Sequence, residues 1–280
     1  SAASDVYKRQ GKYGSGQQMN QAFALLSGVT PDSEKKKVYD CLVQNILYDY
    51  PYYDTGSSGQ GAYTRYFIEK GERMDLIYQL LKDTHHPSYG YFIKQGVNVW
   101  PERWSAVGNS RIHTCYTGIG GYFIKGFGGI RPSEKNDGMK TFIIKPVITD
   151  DLTYINTSYK SLYGKIVVNQ KKIDGKLYYH VEVPVNTTAR LYLQATGSDV
   201  VLERGKNVTE SKCVTYVDDE NSDAVGKYVI YEIESGIYDF EVNEVPETSF
   251  PKSMYMVNNL AKISRVNVSS MFIALSLIHI

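Results

Sequence analysis

The segment GVNVWPERW (96–104) sets one carboxylate, Glu102, between two indoles, Trp100 and Trp104. Aromatic rings offer broad apolar faces with defined geometry, a surface that suits the C–H faces of sugars. A carboxylate held between rings loses hydration, the environment in which proteins tune acids and bases for glycosidic chemistry. A structural reading stands beside this one: two core tryptophans, with Glu102 paired to Arg103 or another cation. Eleven positions on, His113 lies within SRIHTCYTGIGG (110–121), near a helix start. A single histidine is more often structural than functional, but one loop separates it from Glu102, so both can face one pocket. The glycine-rich stretches GSGQQ (14–18) and DTGSSGQG (54–61) precede helices and can line the same cavity. Neither carries GKS/T or GxGxxG, so neither is a phosphate cradle.

The elements that must position these residues are helical up to about residue 131. In QQMNQAFALLS (17–27) Met19, Phe23 and Leu26 share a face, and Gly28 ends the run. Thr30 reads as an N-cap with Pro31 at the first helical position. Val38, Leu42 and Ile46, with Cys41, make the apolar stripe of the helix that follows. Helices over 59–70 and 72–83 are split at Gly71, with Tyr66, Phe67, Leu76, Tyr78, Leu80 and Leu81 available to pack across the turn. The stretch 87–109 is too irregular for a helix. Helical character returns over 113–125 despite Gly118, Gly120 and Gly121. Each glycine costs ~1 kcal/mol relative to Ala inside a helix, so close packing or ligand approach must require them. Short connections between consecutive helices predict antiparallel hairpins, too few here to close a ring and so part of a larger helical toroid.

After Arg131-Pro132 the period becomes two. Strands are predicted at 142–144, 164–169, 177–185, 189–194, 227–233 and 238–242, and Asp174-Gly175 is a strong hairpin signal. Strands at this spacing without helices between them indicate a β-sandwich. No pattern emerges over 245–280, although NLAKISRVNVSS (259–270) faintly resembles the start of a discoidin-like carbohydrate-binding module. The ends SAASDVYKRQ (1–10) and SLIHI (276–280) read as foreign to a native protein.

Charge and composition exclude several classes. Lys plus Arg number 31 and Asp plus Glu 30, a net charge of +1, which gives no electrostatic case for nucleic acid or an anionic membrane. The 25 Tyr outnumber the 9 Phe almost threefold, and a ring with a hydroxyl suits surfaces that meet polyhydroxylated ligands. Cys41, Cys115 and Cys213 are too scattered for a zinc site or a disulfide framework and read as free thiols. The five His form no metal motif.

Taken in order, GSGQQ, DTGSSGQGAYTRYF, HHPSYGYFIKQGVNVWPERW and SRIHTCYTGIGGYFIKGFGGIRPSE resemble the C-terminal half of α-L-rhamnosidases of glycoside hydrolase family 78. The likeness continues through FIIKPVI, SYKSLYGKI and VEVPVNTTARLYL, spans roughly 11–245, and is most specific in WPERW and GGIRP. It implies a multidomain chain, α then β: a partial (α/α) six-hairpin barrel over 11–130, then an antiparallel β-sandwich over 131–245. Residues 1–10 would be a non-native leader, and 246–280 a tail holding the start of a truncated module. The resemblance implies hydrolysis of terminal α-L-rhamnosides with inversion, with Glu102 at the position of the general base. Trp100 and Trp104 fall among its aromatic sugar contacts, His113 on a histidine that contacts the sugar in the −1 subsite, and Arg103 beside them. The family's general acid lies in a segment N-terminal to anything in this chain. The implied partner is a rhamnose-containing oligosaccharide or glycoside, with no cofactor, metal, nucleic acid or membrane. Two other readings remain at this point. One is a non-catalytic carbohydrate-binding or structural protein. The other is a different (α/α)-barrel glycosidase or lyase, whose acid and base would come from Asp32, Glu34, Asp40, Asp49, Asp54, Glu69, Glu72, Asp75 or Asp83.

Overall fold

The computed structural model describes residues 11–70, 73–105, 110–149, 152–222 and 225–247. The expectations for the leader at 1–10, the module-like stretch at 259–270 and the end at 276–280 lie outside them. The chain divides into two compact units. Among the described residues, one holds Gly11 to Phe67 together with Leu76–Gly120, and the other holds Ile68–Asp75 and the chain from Gly121 to Glu247.

The first unit is helical. Helices α1 (Gln18–Leu26) and α2 (Asp32–Gln44) form a hairpin, and α2 runs on into a π-helical turn, Asn45–Asp49. Then come α3 (Ser57–Lys70), α4 (Met74–Lys82), α5 (Tyr89–Lys94) and α6 (Thr114–Thr117). Val38 and Leu42 are fully buried and Ile46 nearly so, as the stripe on α2 predicts. On α1 the expected face is wrong. Gln18, Gln21, Ala22 and Ala24 are buried, and Phe23 is 46% exposed. The glutamine amides explain the inversion, because each finds backbone partners. Gln21 exchanges two hydrogen bonds with the backbone of Tyr13, and Gln18 donates to the Tyr50 and Tyr52 carbonyls. A buried amide with its hydrogen bonds made carries little penalty. Thr30 does not cap α2. Its buried hydroxyl donates back to the Ala24 carbonyl at 3.1 Å, and Pro31 takes the N-cap position.

Helix α5 lies in the stretch expected to be irregular. Ser88 caps it by accepting the Tyr91 N–H at 3.0 Å. Its six residues are too few to show a 3.6 period. Gly90 has the backbone of Asp83 where a Cβ would stand.

The second unit is a pair of sheets. Its strands are β1 (Ile130–Pro132), β2 (Thr141–Ile144), β3 (Tyr154–Ser161), β4 (Gly164–Ile173), β5 (Lys176–Val183), β6 (Thr188–Gln194), β7 (Val201–Glu203), β8 (Lys206–Asn207), β9 (Val214–Ser222), β10 (Gly226–Ile233) and β11 (Gly236–Val242). One sheet runs β1-β2-β6-β10-β9 and the other β3-β4-β5-β11-β7-β8. Pairing is antiparallel except for β2 beside β6. Asp174 and Gly175 both take positive φ, 50° and 80°, and join Ile173 to Lys176; this is the primed turn that the dipeptide signals. Phe142, Ile144, Leu191, Leu193, Val229 and Ile233 of the first sheet share one core with Ile166, Val168, Tyr179, Val181, Phe240 and Val242 of the second.

The GGIRP segment is structural within this unit. Gly129 has φ 71° and lies against the Lys145 carbonyl, so no side chain fits there. The buried Arg131 guanidinium donates through Nη1 to the Ile68 and Glu69 carbonyls at 3.3 and 3.2 Å. These carbonyls belong to the last turn of α3, where helix carbonyls lack partners of their own.

Candidate active site

The WPERW segment is held by backbone pairing with the chain ahead of α6. The Glu102 N–H donates to the Ser110 carbonyl at 3.1 Å, and the His113 N–H donates to the Trp100 carbonyl at 2.8 Å. This two-bond ladder brings residues 100–102 alongside 110–113, so the eleven-residue separation of Glu102 and His113 closes to a local neighbourhood. Glu102 and His113 are both half-buried, and Arg103 is exposed. The Glu102 carboxylate has no hydrogen bond or ion pair with Arg103 or any other described residue, so its lone pairs are available to a proton donor.

Both indoles are packed into the helical unit, Trp100 at 4% and Trp104 at 9% exposure. Tyr53 stacks on Trp104 at 5.1 Å and Phe92 at 5.4 Å. Tyr89 and Tyr116 meet it edge-on at 5.2 and 4.6 Å, and Tyr89 meets Trp100 edge-on at 5.1 Å. Offset-stacked and edge-on pairs are the favoured aromatic arrangements. The Trp104 Nε1–H donates to the buried Thr55 carbonyl at 2.8 Å. Burial pushes the Tyr116 hydroxyl up to about 12, with Cys115 adding to it.

The two glycine-rich stretches join this framework through hydrogen bonds. Gln18, at the end of GSGQQ, grips the Tyr50 and Tyr52 carbonyls at 3.0 and 2.9 Å and accepts the Asp54 N–H at 3.3 Å. Thr55, the next residue, holds Trp104 and also donates from its hydroxyl to Gln60 at 2.7 Å. The strip from Gln18 through 50–55 to Trp104 is therefore continuous.

Two residues emerge that sequence reasoning did not single out. Asp54 enters the sequence reading only as one of several carboxylates open to a different (α/α)-barrel glycosidase or lyase. It sits ahead of α3, with Oδ1 sealed from solvent without a hydrogen-bond partner and its pKa raised by burial. Cys115 had been read only as a free thiol. Its sulfur lies 2.9 Å from His113 Nδ1. Burial raises the thiol's pKa, the backbone N–H groups of Tyr116 and Cys115 oppose this, and the negative charge of Glu102 adds to it. Glu102, His113 and Cys115 are thus electrostatic neighbours. The sole hint in the sequence was the i, i+2 spacing of His113 and Cys115 at a helix start. Among the described residues no group of His, Cys, Asp and Glu has the makings of a metal site.

This arrangement, an accessible carboxylate and an imidazole on a rigid aromatic wall, suits proton transfer beside a sugar ring. Residues 3–126 match the bacterial α-L-rhamnosidase six-hairpin glycosidase domain, and residues 129–207 match the bacterial α-L-rhamnosidase C-terminal domain. The chain belongs to the α-L-rhamnosidase family of glycoside hydrolases. An α-L-rhamnosidase of Formosa agariphila is 31% identical over 190 residues, 65% of this chain and 20% of that protein. One from Streptomyces avermitilis is 26% identical over 201 residues, 68% of this chain and 19% of that protein. The chain therefore spans about a fifth of the length of the curated relatives it matches. The crystal structure of the Streptomyces avermitilis α-L-rhamnosidase complexed with L-rhamnose matches with a TM-score of 0.72 and 25% identity, over 84% of this chain and 22% of that one. The structure of the α-L-rhamnosidase from Dictyoglumus thermophilum shares the fold, with a TM-score of 0.72 at 23% identity. In the family's terms, the helical unit is part of a six-hairpin glycosidase domain, and the sheets after it are of the rhamnosidase C-terminal type.

Proposed function

We propose that this chain supplies the general-base wall of an inverting α-L-rhamnosidase. Glu102 is the base that draws a proton from the attacking water, and His113 holds the sugar. Trp100 and Trp104, expected from the sequence as sugar contacts, are instead buried against other rings, so they support this wall from behind; Arg103 lies at its rim. The observation that carries this reading is the ladder that sets a half-buried, unpaired Glu102 beside His113 in a chain of rhamnosidase kind. Inversion requires a second carboxyl group about 6.5–9.5 Å from the base, leaving room for the water. We assign that acid to a part of the enzyme outside these residues. The substrate is a glycoside or oligosaccharide ending in α-L-rhamnose, the sugar held by the Streptomyces avermitilis enzyme in its crystal structure.

In the complete enzyme that carries this chain, Glu102→Gln should cut turnover of an aryl α-L-rhamnoside by about 10³-fold or more while rhamnose binding stays within about threefold. Proton NMR of the first product formed should show the β anomer. Near-normal turnover in Glu102→Gln would sink the assignment, and an α first product would overturn inversion.

A further inference from the structure

His113 and Cys115 stand at the N-cap and the second position of α6. The imidazole reaches the sulfur through Nδ1, at 2.9 Å. It does not cap the helix with its side chain, so Nδ1 is committed to Cys115. The Tyr116 ring flanks the imidazole, with 6.5 Å between ring centroids and the planes steeply inclined. The facing segment carries Glu102 and Arg103, and after burial, the largest cause, the negative charge of Glu102 works against a thiolate at Cys115. The two act together, so at neutral pH the sulfur keeps its proton. A protonated thiol and a ring nitrogen at this distance share one hydrogen bond, in which either the S–H donates to Nδ1 or an Nδ1–H donates to the sulfur. A neutral imidazole that accepts at Nδ1 must carry its own proton on Nε2.

We propose that Cys115 is a positioning residue: its S–H bond to Nδ1 fixes His113 in the Nε2–H tautomer, so that the ring offers a hydrogen-bond donor on the wall that carries Glu102. A donor there suits a sugar hydroxyl acting as acceptor, and it cannot compete with Glu102 for the proton of the water. The functional half of this inference rests on the reading of His113 as a sugar contact. The tautomer itself does not.

The test is made on the 15N-labelled chain by long-range 1H–15N correlation of the imidazole nitrogens, with the His113 signals identified by their loss in His113→Gln. Read at a pH high enough to deprotonate the ring, the expected result is His113 almost wholly in the Nε2–H form, a mixture of tautomers in Cys115→Ala, and recovery of the Nε2–H form in Cys115→Ser, whose hydroxyl can also donate. An Nδ1–H or mixed tautomer in the unsubstituted chain would overturn the proposal, as would a Cys115→Ala spectrum unchanged from it. In the complete enzyme, Cys115→Ala should lower kcat/KM about fivefold, the equivalent of one ordinary hydrogen bond, and Cys115→Ser should restore most of it. Should Glu102→Gln retain turnover while the tautomer result holds, the site assignment fails and the positioning role of Cys115 stands.

Discussion

Trp104 is the residue on which the helical unit should depend most. Four rings and one carbonyl converge on it, and it is 9% exposed. Truncation of a buried aromatic to Ala costs about 3–5 kcal/mol through lost transfer energy and the cavity left behind. The Thr55 carbonyl, itself buried, would also lose its donor, a penalty of about 1–3 kcal/mol. Part of that is recovered if water enters the cavity, so Trp104→Ala should cost about 4–5 kcal/mol. Trp104→Phe keeps a ring against Tyr53 and Phe92 but loses the N–H, and should cost about 2 kcal/mol. Urea unfolding followed by tryptophan emission measures both, because the chain has 2 Trp and both lie in the helical unit. Trp100 remains as the probe in each variant. With a slope of about 2 kcal/mol/M, the midpoint for Trp104→Ala should fall by about 2 M, or the unit should already be unfolded in buffer. A loss below about 1 kcal/mol, or equal losses for Ala and Phe, would refute the view that packing and the Thr55 bond both hold this wall.

Arg131→Met should destabilise the sheet-bearing unit by about 2 kcal/mol, because the buried Ile68 carbonyl and the part-buried Glu69 carbonyl at the end of α3 lose a charged donor; a thermal melt by circular dichroism reads it. His180 sits between Asp239 at 2.7 Å and Glu182 at 3.3 Å, and its pKa is raised, chiefly by the hydrogen bond that its ring N–H donates to the Asp239 carboxylate. A raised folded pKa contributes stability fully present below about pH 6.5, the unfolded value, and lost as pH rises through the folded value. The side chain is partly exposed, so the effect is small. Urea midpoints between pH 5.5 and 8.5 should therefore decline with pH more steeply for the unsubstituted chain than for His180→Gln, and parallel curves would contradict this.

Much of the fold is legible because its signals are local. Asp174-Gly175 needs two positive φ values, and few other residue pairs accept them. Val38 and Leu42 repeat at helical spacing. What the sequence hides depends on distant partners. Gln18 is polar by type, yet becomes core because the Tyr50 and Tyr52 carbonyls stand ready to accept its amide. Thr30 looks like a cap until the Ala24 carbonyl competes for its hydroxyl. Strands β3 and β9 are edge strands with mostly exposed side chains, so they lack the alternation that betrays β5. In the site, Glu102 could be found from its flanking indoles and from family likeness. The link from His113 to Cys115 could not, since the spacing of two residues gains meaning only once α6 begins between them. The backbone of Asp54 likewise finds its partner in Gln18, 36 residues away.

The place of β11 has a consequence for how the protein is made. It is the last strand among the described residues, yet it lies between β5 and β7 in the interior of its sheet. On a ribosome, β3, β4 and β5 emerge as a meander with an open flank, and β7 and β8 emerge with no sheet to join. Neither half can seal until Gly236–Val242 has left the exit tunnel and inserted between them. The nascent domain therefore spends its longest wait with a bare, hydrogen-bonding strand exposed, and a stop codon anywhere before β11 would leave a chain with a permanent sticky edge rather than a shorter stable domain.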